Sequence, residues 1–114
     1  MAIEVEILYF EGCPNRLVAV ERTREVLRLA AVEAVVLEVC VSDPAQARRL
    51  RFLGSPSIRV NGVDVEPGAR SSHDYGLVCR TYVAGRRREG APTLEMIHDA
   101  ILRACAEERW KYPG

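Results

Sequence analysis

Two residues, Asn61-Gly62, constrain the fold of this chain more than any others. They stand between Ile58-Arg59-Val60 and Val63-Asp64-Val65, two short runs that alternate apolar and charged side chains. An Asn-Gly pair tolerates the positive φ values of a two-residue turn whose twist matches its strands, so the pattern predicts a β-hairpin. A lone hairpin is barely stable in water and needs a sheet or a helix to pack against.

The preceding residues supply that sheet. Residues 3–10 alternate apolar and charged and then run apolar, as a strand entering a core does. Gly12 allows a tight turn, and Pro14 suits the first helical position, where its missing N–H costs nothing. A helix is predicted from about Asn15 to Ala31, with Leu17, Val20, Leu27 and Ala31 on one face and Arg22, Glu25 and Arg28 on the other. Residues 33–41 are almost wholly apolar and predict a central strand covered on both faces. Ser42-Asp43-Pro44 predicts a helix start, and Gly54 its C′ residue after Leu53. Glu66 to Ala91 carries no helical period. Leu77–Val83 within it reads as an added strand or a short turn of helix. Pro92-Thr93 opens a last helix with Leu94, Ile97, Ile101 and Ala104 on one face. The tail from Arg109 to Gly114 is expected to fray. The order β-α-β-α-β-β-α predicts an α/β fold, with a mixed four-stranded sheet flanked by helices.

At 114 residues the chain is expected to form one domain spanning 1–114. Formal charge is zero, so no global field draws it to nucleic acid or an anionic membrane. No apolar run approaches ~18 residues, and no basic stretch precedes an apolar one at the N-terminus. The expectation is a cytoplasmic monomer or homodimer whose four cysteines are free thiols.

Sulfur is where chemistry is expected. Cys13 stands at the predicted start of the first helix, where unpaired N–H groups and the positive end of the dipole favour the thiolate. Arg16, one turn on, adds positive charge. Cys79 lies in the long irregular segment and reads as a resolving thiol for Cys13 or as a second ligand for a soft metal. Cys40 and Cys105 read as small buried hydrophobes. His73 is a base only if its loop covers Cys13, and His98, beside the apolar face of a helix, reads as surface or half-buried. No Cys-x-x-Cys or His-x-x-x-His spacing marks a zinc site, and no cofactor motif is present. Arg86-Arg87-Arg88 reads as a solvated run.

Two landmarks carry a family resemblance. One is the Cys13-Pro14 turn after the first strand; the other is Gly54-Ser55-Pro56-Ser57-Ile58-Arg59-Val60-Asn61-Gly62. With them, residues from Ile3 to about Cys105 resemble the thioredoxin-like superfamily. More narrowly, Gly12-Cys13-Pro14-Asn15 and Cys79-Arg80-Thr81-Tyr82 resemble a small bacterial group within it. The resemblance implies a cis Ser55-Pro56 bond beside Cys13, with Pro14, Ser55 and Pro56 holding an extended substrate segment. Arg16 stands where a dithiol protein of this kind has its second cysteine. What the resemblance implies is a thiol-dependent redox protein acting through Cys13 on protein or small-molecule disulfides or oxidised thiols, with Cys79 or glutathione resolving the adduct. Two alternatives stay open: a mercury or copper(I) site made by Cys13 and Cys79, and a non-catalytic interaction module.

Overall fold

A computed structural model describes residues 3–111, with side chains through Glu108. Its elements are β1 (Ile3–Tyr9), α1 (Arg16–Ala30), β2 (Ala34–Cys40), α2 (Pro44–Arg49), β3 (Ser57–Val60), β4 (Val63–Asp64), β5 (Tyr82–Ala84), β6 (Arg87–Glu89) and α3 (Leu94–Lys111), with a 3-10 turn at Pro67–Ala69. Four strands form one mixed sheet in the order β2-β1-β3-β4. β1 runs parallel to β2 and antiparallel to β3, and β3 turns back antiparallel into β4.

The local signals account for most boundaries. The turn at Asn61-Gly62 has positive φ at both residues, 49° and 82°, and joins β3 to β4. The Asn61 side chain also accepts the Glu4 N–H at 2.9 Å, which fastens the turn to β1. Asp43 caps α2 by accepting the Gln46 N–H at 2.8 Å, with Pro44 in the first turn. Thr93 caps α3 by accepting the Met96 N–H at 3.1 Å.

Alternation along β1 divides the core. Ile3, Val5 and Ile7 point to one face and pack with Ala19, Val20 and Val26 of α1 and Ile97 and Ile101 of α3. Leu8 points to the other and packs with Val41, Ala47 and Phe52. Cys105 packs at the margin of the first cluster, as an apolar residue would.

Several elements differ from expectation. β2 is an edge strand, not a central one. Val35 and Leu37 are 50% and 42% exposed, because α2 has six residues and packs over the Leu8 end of the sheet alone. Cys40 is accordingly half-buried. α1 begins at Arg16, with Asn15 as its N-cap, so Cys13 and Pro14 lie in the turn before it. α2 stops at Arg49, and the left-handed residue after its cap is Arg51 (φ 55°), not Gly54. The segment after β4 adds a second hairpin, β5–β6, turning at Gly85-Arg86. Its Arg87 and Arg88 are exposed, in line with a solvated run. α3 continues through Lys111 where fraying from Arg109 is expected; 112–114 lie outside the described residues.

Candidate thiol site

The Cys13 turn follows directly from β1. The Cys13 N–H donates to the Phe10 carbonyl at 3.2 Å across Glu11-Gly12, and Gly12 takes a φ of 86° that a side chain resists. Cys13 itself is half-buried and Pro14 is exposed. The Asn15 side chain makes no cap hydrogen bond to α1. It fills instead the space that a Cβ at Gly90 would occupy.

Ser55 is the junction between this turn and the rest of the site. Its peptide bond to Pro56 is cis, and both residues are buried. The Ser55 hydroxyl accepts the Phe10 N–H at 3.2 Å, on the first residue of the Cys13 turn. On its other side Ser55 forms an isolated parallel bridge with Cys79. Its N–H donates to the Val78 carbonyl at 2.8 Å, and its own carbonyl accepts the Arg80 N–H at 3.0 Å. Cys79 is exposed at this bridge. Both backbone groups of Ser55, which the resemblance would give to a substrate segment, are therefore taken by residues 78–80 of the same chain.

Arg80 and Tyr82 hold that segment in place. Arg80 is 8% exposed and forms a bidentate pair with Asp64, at 2.7 and 2.9 Å. It also donates to the Ser57 hydroxyl at 2.9 Å and to Glu66 at 3.3 Å. Burial opposes its charge, yet the bonds to Asp64 and Glu66 prevail and hold its pKa above the ordinary arginine range. The guanidinium stacks on the Tyr82 ring, 4.6 Å from the centroid. The Tyr82 hydroxyl donates to the Pro56 carbonyl at 2.6 Å, and burial pushes its pKa well above the ordinary value. Gly54 has a φ of 128° and a hypothetical Cβ there would lie 3.0 Å from Arg80 Cβ and Val78 O. It is a point of close approach between two segments, not a helix terminator.

The segment then continues to α1. Glu89, at the end of β6, pairs with Arg22 of α1 at 2.6 Å, and Arg22 also donates to the Pro92 carbonyl at 2.9 Å. Residues 78–90 thus run from Ser55, which bonds the first residue of the Cys13 turn, to Asn15, the N-cap that follows it.

The remaining candidates lie elsewhere. Arg16 stacks over the Tyr9 ring, 3.8 Å from its centroid, and pairs with Glu38 at 3.1 Å. Among the described residues no hydrogen bond joins its guanidinium to Cys13. His73 lines a cavity beside β4 with Arg59 and Arg70, and His98 is exposed on α3. Among the described residues no group of three or more His, Cys, Asp or Glu side chains is placed to hold a metal ion, and no helix is long and apolar enough to cross a membrane. The roles of Arg80, Tyr82 and Asp64 escaped the sequence reading. The Cys79-Arg80-Thr81-Tyr82 run was visible there, but nothing local distinguishes a buried arginine from a solvated one. No protein-family model, curated protein or solved structure matches the chain.

Proposed function

We propose that the chain is a thiol-dependent redox protein of thioredoxin-like fold, with Cys13 as nucleophile and Cys79 as resolving thiol. One observation carries the reading. Ser55, at the cis bond, touches the Cys13 turn through its hydroxyl and the Cys79 segment through its backbone. The sheet order β2-β1-β3-β4, with β1 parallel to β2 and antiparallel to β3, supports the thioredoxin-like part.

The Cys13 thiolate attacks one sulfur of a protein or small-molecule disulfide. A Cys13–substrate disulfide forms as the substrate S–S bond breaks, and the departing thiolate takes a proton from solvent. The Cys79 thiolate then attacks the Cys13 sulfur and releases the second substrate thiol. The substrate gains two electrons and the protein loses two, ending as a Cys13–Cys79 disulfide. Two molecules of a small thiol such as glutathione restore the dithiol, leaving as their own disulfide. Because residues 78–80 already occupy the Ser55 backbone, Cys79 arrives on a strand-like segment where a substrate strand would dock.

Titration with diamide followed by non-reducing peptide mapping tests this. The expected product is an intramolecular Cys13–Cys79 disulfide, with Cys13 the fastest of the four cysteines to alkylate in the reduced protein. Cys79→Ser diverts the oxidised protein to a glutathione adduct at Cys13. Only intermolecular or glutathione adducts in the wild type would remove the resolving role. If neither thiol oxidises and both instead retain mercury or copper(I) against a chelator, two-thiol metal binding replaces the redox reading.

A further inference from the structure

Arg51, Arg59 and Arg70 line one cavity of about 320 Å³ beside β4, and neither Cys13 nor Cys79 is among its walls. Three like charges around one space repel unless an anion sits among them. Asp64 is the carboxylate in the wall, and Arg80 already binds it in bidentate fashion from the buried side. Among the described residues no carboxylate forms a salt bridge with Arg51, Arg59 or Arg70. Glu6 faces Arg59 across the β1–β3 ladder but makes no ion pair with it.

Two of the three forks are set in advance. Arg59 Nη2 donates to the Arg51 carbonyl at 2.6 Å, and Arg70 Nε donates to the Asp64 carbonyl at 3.1 Å. Among the described residues each guanidinium has further N–H donors without a hydrogen bond, and a fork already held loses less freedom when it binds. Arg51 itself occupies a left-handed position, φ 55°, where glycine is usual at a helix end. A side chain kept at such a position points to a role that outweighs the strain. His73 and Tyr75 form a ring-bearing wall, their centroids 6.0 Å apart.

We infer that this cavity binds a small phosphate monoester. Its doubly charged group matches planar guanidinium forks better than a single carboxylate does, and the volume suits a ligand of that size. None of Cys13, Ser55 and Cys79 lines the cavity, so the inference stands whether or not Cys13 is reactive.

Calorimetric titration of the full chain at low ionic strength, with inorganic phosphate, glycerol 2-phosphate and citrate, tests it. The expected result is one saturable site for the two phosphates. Arg59→Gln and Arg70→Gln should each weaken binding about 10-fold or more. Arg59→Lys, which keeps the charge and loses the fork, should weaken it several-fold and guards against a variant that misfolds. Arg24→Gln, on the exposed surface of α1, should bind as the wild type does. Heats that do not saturate, equal weakening by Arg24→Gln, or citrate bound as tightly as glycerol 2-phosphate would each overturn the inference.

Discussion

Among the described residues Arg80 alone forms a salt bridge with Asp64, and replacing it with alanine removes that pair. The carboxylate is 8% exposed, and after the change it keeps only the Glu66 N–H at 2.8 Å as a hydrogen-bond partner. Breaking a buried ion pair from one side costs about 3–5 kcal/mol, because the remaining charge stays desolvated. A domain of this size is stable by roughly 6–17 kcal/mol in all, so the loss takes a large share. The four guanidinium bonds cannot be summed to get this figure, since the arginine also loses its own hydration on folding. Urea unfolding of wild type, Arg80→Ala, Asp64→Asn and Arg80→Met/Asp64→Asn measures it. Arg80→Ala should lose about 3–5 kcal/mol, and the neutral double variant should recover more than half of that, since neither charge is then buried alone. The released segment should also alkylate faster at Cys79. A single variant within about 0.5 kcal/mol of wild type, well below that expected cost, would refute the argument. So would a double variant at least as unstable as Arg80→Ala.

Two further outcomes follow from the same contacts. Burial raises the Tyr82 pKa above its ordinary value of 10.0, so its contribution is complete below about pH 10 and declines as the unfolded phenol ionises. Tyr82→Phe should cost about 1 kcal/mol at neutral pH through the lost Pro56 bond. The wild type should lose about 1.4 kcal/mol more than the variant between pH 9 and 11; parallel alkaline curves in denaturant titrations would count against a buried phenol. Gly54→Ala should destabilise by about 1–3 kcal/mol through its φ of 128° and the 3.0 Å approaches to Arg80 and Val78, and an unchanged urea midpoint would show that the segments are not in close contact.

What was legible in the sequence was what local physics decides. Asn61-Gly62 turns, Asp43 and Thr93 cap, and Gly12 bends, because each acts on backbone within a few residues. Placement in three dimensions was less visible. Val35-Val36-Leu37 reads as a strand covered on both faces, since apolar side chains alternate with apolar ones; the shortness of α2 leaves one face open. Gly54 carries the same residue type whether it ends a helix or admits a neighbouring backbone, and only the arrival of Val78 and Arg80 decides between them. In β6, Arg87 and Arg88 conceal a strand behind a charge run. The pairing of Ser55 with Cys79 joins stretches that no periodicity connects.

The contacts of residues 78–92 with Ser55, Asn15 and Arg22 have a consequence during synthesis. The bond from Arg22 to the Pro92 carbonyl spans 70 positions of chain. At ordinary translation speeds the ribosome needs roughly 4–14 s to make that much polypeptide. Through that interval the nascent chain carries the Cys13 turn and α1 without the Glu89–Pro92 segment that Asn15 and Arg22 contact. Cys13 is thus on the growing chain 66 positions before Cys79, whose segment closes on Ser55 only late in synthesis.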